Sequence, residues 1–257
     1  MSASNLFDLS GRTALVTGSS AGLGFAIARG LAEAGAAVVI NGRNEEKLVK
    51  ATKTFEATGL KARALAFDVA DEAAVMGAFA RLDAEGAPID ILVNNAGVQL
   101  RKPMLDIATD EWRRVVETDL TAAFVMGREA ARRMIAGGKG GKIINIASLA
   151  SEVARATIAP YTAAKGGLKM LTRSMAAEWA EHNVQANAIG PGYMVTEMTQ
   201  PLVNDEKFDA WVKSRTPSRR WGQPDELIGV AVFLASRASD YVNGQIIYVD
   251  GGLLAVM

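Results

Sequence analysis

The 257-residue sequence contains no cysteine and only one histidine, His182. The lack of cysteine excludes disulfides, thiolate metal sites and cysteine nucleophiles. A single histidine also excludes a zinc site built from several imidazoles, so we expect no bound metal. An enzyme with this composition must move protons with tyrosine, lysine, serine or carboxylate side chains, or with its one histidine.

The chain also lacks an excess of charge of either sign. Its 28 lysines and arginines equal its 28 aspartates and glutamates, so there is no electrostatic case for a nucleic acid or an anionic membrane as partner. No apolar run approaches the length needed to cross a bilayer. Residues Met1 to Ser10 do not combine a basic segment with an apolar stretch, so we expect a cytoplasmic protein.

Length and periodicity predict an α/β fold. Short segments rich in valine and isoleucine alternate with longer segments of helical period, which is typical of successive β-α-β units around a parallel sheet. A chain of 257 residues can bury one large core, and no repeat or proline-rich linker suggests a boundary. We therefore expect residues 1–257 to form a single domain, with a doubly wound parallel sheet and helices on both faces.

The predicted elements extend along the whole chain. Seven strands are expected at Thr13 to Thr17, Ala37 to Asn41, Arg63 to Asp68, Ile89 to Asn94, Lys142 to Ala147, Val184 to Ile189 and Gln245 to Val249. Helices are expected to begin near Leu23, Glu45, Glu72, Asp110, Tyr161 and Pro224.

Two segments have additional features. Thr109 is the expected N-cap of a helix that has Trp112 and Val115 at core spacing and ends at Gly137-Gly138. From Tyr193 to Trp221 the alternation of strands and helices breaks down. We expect residues 193–221 to be an irregular insertion that serves as a lid or substrate loop.

The sequence feature most informative about chemistry is a trio of polar residues. Tyr161 and Lys165 are four residues apart, and Ser148 lies thirteen positions upstream of Tyr161. Residues four apart share one face of a helix, so the ammonium of Lys165 can favour the phenolate of Tyr161 and allow proton exchange near neutral pH. A serine hydroxyl beside it would hold a substrate oxygen while the proton moves. The same pair also occurs by chance on amphipathic helices that have no chemistry.

A glycine-rich turn follows the first predicted strand and leads directly into a helix. Its sequence is Thr17-Gly18-Ser19-Ser20-Ala21-Gly22-Leu23-Gly24. Glycines allow main-chain N–H groups to approach a pyrophosphate closely, and the helix N-terminus favours the negative charge. Strand, glycine turn and helix in succession predict dinucleotide binding.

The same segment contains a rival motif. Gly18 to Gly22 also matches the G-x-S-x-G turn of α/β-hydrolases, in which Ser20 would be the nucleophile and His182 the base. That turn needs an oxyanion hole from a loop after an earlier strand, and no earlier strand is predicted. His182 lies in a segment typical of the solvated end of a helix, so the hydrolase is the less favoured interpretation.

The end of the second predicted strand indicates which dinucleotide binds. An acidic side chain there would accept hydrogen bonds from the 2′-hydroxyl of NAD, but the sequence is Asn41-Gly42-Arg43-Asn44. Because no carboxylate would repel a 2′-phosphate and Arg43 is placed to bind it, NADP is favoured over NAD. Arg43 could equally be a solvated loop residue.

Together these motifs resemble the short-chain dehydrogenase/reductase family over essentially the whole chain. The resemblance rests on the glycine turn, Asn94-Asn95-Ala96-Gly97, Ser148, Tyr161 with Lys165, and Pro191-Gly192. It implies a Rossmann-type fold and an NADP-dependent oxidoreductase that interconverts a secondary alcohol and a ketone. Tyr161 would then be the general acid and base, Ser148 would bind the reacting oxygen, and Lys165 would hold the nicotinamide ribose.

The resemblance also implies a set of cofactor contacts. The glycine turn would bind the pyrophosphate and ribose, Arg43 the 2′-phosphate, and residues after the third strand the adenine. The implied cofactor-binding residues are Gly18, Ser20, Gly22, Leu23, Gly24, Arg43, Asp68, Val69, Asn95, Ala96, Gly97, Tyr161, Lys165, Ile189 and Thr196.

One position departs from the family pattern. Asp119 stands where the family usually has an asparagine that supports a water-linked proton relay to the lysine. Its main-chain carbonyl is unchanged, so the relay can survive and Asp119 stays a candidate catalytic residue. A carboxylate near Lys165 would hold the ammonium charged and partly cancel its field at Tyr161, which affects the pH optimum more than the reaction type.

Finer similarities resemble the branch of the family that interconverts gluconate and 5-ketogluconate. They include Asn41 to Asn44, Ser151-Glu152, Ile158 to Tyr161, Thr196 to Met198 and Arg220 to Gln223. An anionic sugar acid needs cations, and three basic residues lie in segments expected to border the catalytic end of the sheet. The implied substrate-binding residues are Ser148, Tyr161, Arg101, Arg155 and Tyr193, with Lys102 as a further cation.

Two other functions stay open at this point. A 3-oxoacyl thioester reductase or general ketone reductase of the same family would need an apolar or pantetheine-accepting entrance near Tyr193 to Trp221. A nucleotide-sensing protein with an idle catalytic site is more remote, because Ser148, Tyr161 and Lys165 are all present.

The resemblance also implies a homotetramer, built partly on the helices that begin near Asp110 and Tyr161. Alanine-rich helix faces and the apolar tail Leu253 to Met257 give limited support. Apart from copies of itself, the expected partner is a small-molecule sugar acid.

Overall fold

The computed structural model describes residues 3–256. Met1 and Ser2, in the segment searched for a leader, and Met257, at the end of the apolar tail, lie outside the described residues. Seven parallel strands form one sheet in the order β3-β2-β1-β4-β5-β6-β7. The strands are β1 (Thr13–Val16), β2 (Ala37–Gly42), β3 (Ala62–Ala66), β4 (Ile91–Asn94), β5 (Gly141–Ile146), β6 (Val184–Pro191) and β7 (Ile246–Val249).

Helices cover both faces of this sheet. Helices α1 (Gly22–Glu33), α2 (Glu45–Ala57) and α9 (Ile228–Ala235) pack on one face. Helices α3 (Glu72–Ala84), α5 (Ala122–Ala136) and α6 (Ala159–Trp179) pack on the other face. The remaining helices are α4 (Thr109–Val116), α7 (Gln200–Val203) and α8 (Glu206–Arg215). Within residues 3–256, no helix has the length and apolar character that a membrane span requires.

Two hydrophobic cores lie on either side of the sheet because side chains of a strand alternate between its faces. In β1, Ala14 and Val16 belong to the core under α1, whereas Leu15 belongs to the core under α5. The central strands are buried on both faces, which is why they read as continuous apolar runs in the sequence. The predicted doubly wound α/β fold is confirmed.

The strand order places a crevice at the carboxyl ends of the strands. The chain runs outward from β1 through β2 to β3 and then returns to β4, which pairs with the other side of β1. In open α/β sheets the crevice beyond the carboxyl ends of the strands, where the order reverses, is the usual ligand site. The loops after β1, β4, β5 and β6 all begin at these carboxyl ends.

The helix expected from Thr109 to Gly137 is interrupted. After α4 the chain forms a π-helical turn at Glu117–Thr121 before it continues as α5. The wider turn places Asp119 in the interior, where its residue is only 2% exposed. Such turns within α-helices are frequent at functional sites.

Two details of the prediction for this helix were wrong. Thr109 is the first residue of α4 and its N-cap is Ala108, whose N–H donates to the Glu111 carboxylate at 2.9 Å. Trp112 is exposed, although its spacing from the buried Val115 is that of a core position. The spacing rule gives the face of a helix but not how far that face is covered, and α4 lies at the margin of the core.

The prediction of an irregular insertion at 193–221 was also wrong. This segment contains α7 and α8, and the Asp205 carboxylate caps α8 by accepting the N–H groups of Lys207 and Phe208 at 3.0 Å. Its two ends are pinned together, because the Val195 N–H donates to the Gly222 carbonyl and the Gly222 N–H donates to the Tyr193 carbonyl, each at 2.9 Å. The insertion is therefore a helical excursion with a closed base.

Candidate active site

The glycine turn after β1 is shaped by close backbone approaches. Gly18 and Gly22 have φ near +60°, a conformation that favours glycine. A Cβ at Gly18 would lie 2.8 Å from the Ala96 Cα atom, and one at Gly24 would lie 2.4 Å from the Asn95 amide nitrogen. Larger residues at 18 and 24 would therefore displace the loop that follows β4.

Hydrogen bonds hold this turn without using the N-terminus of α1. The Asn95 amide donates to the carbonyls of Thr17 and Gly18 at 2.9 and 3.0 Å, and the Gly18 N–H donates to the Asn41 amide oxygen at 3.2 Å. The N-cap of α1, Ala21, offers no side-chain acceptor to the first N–H groups of the helix. These N–H groups fit an anion such as a pyrophosphate.

The end of β2 carries a cation. Arg43 is 70% exposed along its side chain, and its Nη1 lies 3.4 Å from the Asp68 Oδ2 atom beyond β3. The Asn41 side chain instead points inward, where its amide donates to the carbonyls of Leu65 and Phe67. Arg43 and Asp68, both predicted cofactor residues, are thus adjacent, and Val69 follows Asp68 in a buried position.

Lys165 lies in the centre of the predicted catalytic group. Its ammonium donates to the Ile146 carbonyl at 2.9 Å and lies 5.5 Å from the centroid of the Tyr161 ring. It is also 3.6 Å from the Asp119 Oδ2 atom. Both predicted neighbours of Lys165 are therefore present in the structure. Tyr161 shares its face of α6, and the π-helical turn at Glu117–Thr121 brings in Asp119.

Asp119 is a buried carboxylate with one satisfied oxygen. Its Oδ1 accepts the Val98 N–H at 2.7 Å, whereas its Oδ2 has no hydrogen-bond partner within the described residues. Burial raises the pKa of Asp119, and the positive charge of Lys165 and the Val98 N–H oppose this rise. A polar cavity of about 10 Å³, near the size that one water molecule needs, is lined by Asp119, Lys165 and Thr17.

Ser148 follows β5 and begins a short 3₁₀ turn, Leu149–Ser151. Its hydroxyl oxygen accepts the Ala150 N–H at 3.1 Å. The turn is fixed to α6 because the Ser151 hydroxyl donates to the Lys165 carbonyl at 2.8 Å. Ser148 and Tyr161 thus come from packed neighbouring elements, and no hydrogen bond between their side chains occurs in the described part of the chain.

A buried polar chain supports the catalytic group, and the sequence did not predict it. The Asn94 amide donates to the Asn145 amide oxygen at 2.9 Å, and the Asn145 amide donates to the Thr172 hydroxyl at 2.9 Å. These side chains tie β4, β5 and α6 together beneath the site. Asparagine inside an apolar strand is the sequence signal that could have revealed Asn145, because buried amides need partners.

Two arginines lie close to Tyr193. Partial burial lowers the pKa of Arg101, the nearby charge of Arg155 lowers it further, and Tyr161 and Tyr193 oppose this change. Burial raises the pKa of Tyr193, and Arg155 and Arg101 oppose that rise. Arg101 donates to the Gln99 side chain at 2.9 Å. The structure therefore brings Arg101, Arg155, Tyr161 and Tyr193 together.

Lys102, considered as a further substrate cation, lies elsewhere. Its ammonium donates to the Glu111 carboxylate at 2.8 Å, and its main-chain N–H donates to the Thr157 carbonyl at 2.9 Å. The Lys102 ammonium is therefore paired with Glu111, whereas Arg101 lies near Arg155 and Tyr193.

An aromatic cluster forms the lid side of the cleft. Tyr193 packs edge to face against Phe208, Trp211 and Trp221, with ring centroids 5.6 to 5.8 Å apart. The guanidinium of Arg155 lies 4.9 Å from the centroid of Phe208. Arg155 and Tyr193 were predicted from the sequence, whereas Phe208 and Trp211 were not, although the density of aromatic residues in the insertion was an available signal.

Two predicted nicotinamide neighbours differ in their setting. The Ile189 side chain is buried in the core, its carbonyl accepts the Ala147 N–H at 2.8 Å, and it pairs with Ile146, whose carbonyl holds Lys165; its contact with the nicotinamide stays a prediction. Thr196 is half-buried at the start of the insertion, where its N–H donates to the Thr199 hydroxyl at 2.9 Å.

The hydrolase interpretation fails on geometry. Ser20 follows the carboxyl end of β1, whereas His182 ends the 3₁₀ turn Ala180–His182 just before the amino end of β6. All strands are parallel, so these two residues lie at opposite edges of the sheet. Ser20 and His182 cannot form a nucleophile and base pair.

This fold, with a glycine turn at its crevice and a tyrosine and lysine on one helix face, defines a dinucleotide-dependent oxidoreductase, and comparison with known proteins agrees. Residues 18–254 match the family model described as Enoyl-(Acyl carrier protein) reductase. The chain belongs to the short-chain dehydrogenase/reductase family. The family predicted from the motifs is confirmed.

Several relatives are similar over their full length. Gluconate 5-dehydrogenase of Gluconobacter oxydans is 52% identical over 253 residues, which cover 98% of each chain. The 5-keto-D-gluconate 5-reductase of Escherichia coli is 46% identical over 98% of this chain and 99% of its own. A crystal structure of gluconate 5-dehydrogenase from Burkholderia cenocepacia, in complex with NADP and tartrate, is 51% identical with a TM-score of 0.96 and covers 100% of both chains.

Proposed function

We propose that this protein is an NADP-dependent oxidoreductase that interconverts gluconate and 5-ketogluconate. The observation that carries the proposal is the Lys165 ammonium 5.5 Å from the centroid of the Tyr161 ring, with the charges of Arg101 and Arg155 nearby. It brings a proton donor, a cation for the cofactor side and a cation for an anionic substrate into one cleft. The activities and the NADP complex of the relatives support the same conclusion.

The residues of this chain would divide the proton chemistry among themselves. NADP supplies the hydride chemistry at the carbon atom when it is bound. Tyr161 would exchange the proton with the reacting oxygen, and the Ser148 hydroxyl would hold that oxygen. Lys165, fixed by the Ile146 carbonyl, would position the nicotinamide ribose and keep a positive charge beside Tyr161. Asp119 would balance that charge from behind.

The residues of the crevice fit the proposed cofactor. The N-terminus of α1 and the glycine turn, Gly18, Ser20, Gly22, Leu23 and Gly24, would receive the pyrophosphate and its ribose. Arg43 is exposed at the end of β2, where no carboxylate of that strand opposes a 2′-phosphate. Asp68 lies 3.4 Å from Arg43 beyond β3, so a bound 2′-phosphate would compete with it for the guanidinium.

The substrate side fits a short anion better than an acyl thioester. Arg101 and Arg155 would bind a carboxylate, and Tyr193 would line the cleft beside them. Packed aromatic rings line this part of the insertion, and a cation, Arg155, covers the face of Phe208, where an acyl chain would need an uncharged surface. This arrangement disfavours the 3-oxoacyl thioester reductase.

Initial rates followed at the NADPH absorbance band test the proposal. We expect oxidation of gluconate with NADP and reduction of 5-ketogluconate with NADPH, both faster than with NAD or NADH. A 3-oxoacyl thioester should be a poor substrate. A protein that binds NADPH but turns over none of a panel of sugar acids and ketones would be a nucleotide sensor instead, and preferred turnover of thioesters would show that the substrate assignment is wrong.

We also propose that residues 1–257 act as one dinucleotide-binding domain, with 193–221 as its substrate lid, in the cytoplasm and as a homotetramer. Apolar side chains on the two helical regions expected at the interfaces support the assembly: Trp112, Phe124 and Met170 are 38%, 43% and 55% exposed. Val256, in the apolar tail, is also half exposed. Light scattering of the purified protein tests the assembly, and a stable monomer would contradict it.

A further inference from the structure

A second concave site, which the proposed reaction does not use, lies at the amino ends of the strands. A cavity of about 210 Å³ opens at the amino ends of β5 and β6. Four cationic side chains from three segments of the chain line it, together with one carboxylate, Asp240. The four cations are Arg12, Lys139, Lys142 and Arg237. This convergence of like charge is unfavourable unless an anion balances it.

Lys142 is the buried member of this group. Its side chain is 6% exposed, and its ammonium lies 2.8 Å from the Asp240 Oδ1 atom. Burial lowers the pKa of Lys142, Asp240 opposes this effect, and the charge of Arg12 lowers the pKa further. A desolvated ammonium needs negative partners, and the Asp240 side chain is itself 57% exposed.

The remaining carboxylate nearby does not balance the other cations. Asp90 lies 3.7 Å from Arg12 and also accepts the Thr13 N–H at 2.8 Å. Lys139 and Arg237 form no ion pair with any residue in the described range 3–256. Four cations and two carboxylates leave a net charge of about +2 around the cavity.

The backbone around the cavity is held in place by its own hydrogen bonds. Asn183 has φ of 59°, and its amide donates to the Lys139 carbonyl at 3.2 Å. The Gln185 amide donates to the Asn183 side-chain oxygen at 3.0 Å. Gly140 makes this close packing possible, because a Cβ there would lie 2.0 Å from the Asn183 carbonyl oxygen. The cationic side chains therefore extend from a fixed frame.

We propose that this cavity binds a small oxyanion that carries two or more negative charges, of the phosphate or polycarboxylate class. Arginine and lysine provide charge-assisted hydrogen bonds to such oxygens. The volume of about 210 Å³ is large enough for a free oxyanion together with several bound water molecules. The site lies at the opposite edge of the sheet from the glycine turn and Arg43, so it is distinct from the crevice proposed to bind NADP.

Isothermal titration calorimetry with inorganic phosphate, and separately with citrate, tests this site. The protein is first saturated with NADP to block phosphate binding near Arg43, and potassium chloride keeps the ionic strength constant. We expect one saturable site per chain for at least one of the two anions, and the stronger of the two identifies the preferred class.

Exposed cations provide variants that should fold normally. Arg237→Gln and Lys139→Gln should each weaken anion binding about tenfold, as expected for loss of one charge-assisted hydrogen bond. Lys53→Gln removes an exposed charge on α2 and should leave the affinity unchanged. The proposal is overturned if neither anion binds saturably to the wild-type protein, or if Arg237→Gln and Lys139→Gln bind like Lys53→Gln. None of these readings depends on the substrate of the enzyme.

Discussion

The two halves of the candidate active site are held in different ways. The half against the sheet is buried: Lys165 is fixed by the Ile146 carbonyl, Asp119 by the Val98 N–H, and Asn145 by Asn94 and Thr172. The half toward solvent consists of Arg43, Arg101, Arg155 and the aromatic lid, held by exposed ion pairs and ring packing.

This difference predicts separate roles for the two halves: the buried half fixes the catalytic geometry, and the exposed half selects the ligands. Buried polar groups adopt one arrangement because an unpaired donor or acceptor is costly there. Exposed ion pairs and cation–π contacts contribute little each, so they can rearrange when a charged ligand arrives. We therefore expect changes in the buried half to affect turnover and stability, and changes in the exposed half to affect the choice and affinity of ligands.

The largest effect is expected from Tyr161→Phe. The variant keeps the ring that packs near Lys165 but loses the hydroxyl that would carry the proton, so kcat should fall roughly 10³-fold. NADPH binding, measured by fluorescence titration, should stay close to that of the wild type. A variant that retained most of its activity would contradict the role of Tyr161 in proton transfer.

Arg43→Gln should have the next largest effect, on the cofactor. Loss of a charge-assisted contact to the 2′-phosphate should weaken NADP binding about tenfold or more and leave the rate with NAD nearly unchanged. Steady-state kinetics with both dinucleotides measure the ratio. Lys50→Gln, on the exposed surface of the following helix, is the matched control and should change neither value. Equal losses with NADP and NAD would show that Arg43 does not read the 2′-phosphate.

Asp119→Asn tests the buried half through the pH dependence of stability. Burial raises the pKa of Asp119 above its ordinary value of 3.8, so the folded protein holds this proton to higher pH than the unfolded chain does. The associated stability is present at low pH and is lost as the pH rises through the raised pKa. Asparagine does not titrate, so the variant should gain stability relative to the wild type as the pH rises from 3.8 through the raised pKa.

Urea unfolding at several pH values measures this difference. The asparagine introduced by Asp119→Asn would still accept the Val98 N–H through its amide oxygen, and Lys165 would keep its bond to the Ile146 carbonyl. Parallel stability profiles for both proteins would show that Asp119 is not the titrating group.

The smallest effect is expected from Phe208→Leu in the lid. The variant removes the ring under the guanidinium of Arg155, a contact of about 0.5–1 kcal/mol at a partly exposed site. The KM for the sugar acid should rise a few-fold while kcat stays nearly constant. Phe208→Tyr retains an aromatic face and should restore the KM. A fall in kcat of the same size as the rise in KM would contradict this prediction, because Phe208 would then affect turnover as residues of the buried half do.

Local patterns predicted much of this protein. The order of strands and helices, the glycine turn, and the shared face of Tyr161 and Lys165 all depend on neighbours within a few positions, which periodicity reports directly. The errors occurred where distant segments decide the outcome. Trp112 has core spacing on a helix whose face is not covered, and the segment 193–221 forms two helices, α7 and α8, instead of an irregular loop.

The amino-acid sequence by itself determined the family, the parallel α/β sheet and the type of chemistry, because each is encoded in short motifs with fixed spacing. Only the tertiary structure decided that a π-helical turn brings Asp119 to Lys165, that Arg155 stacks on Phe208, and that four cations meet at the opposite edge of the sheet. These contacts join residues that are distant along the chain. Their positions follow from how helices pack on the sheet, and no local pattern carries that information.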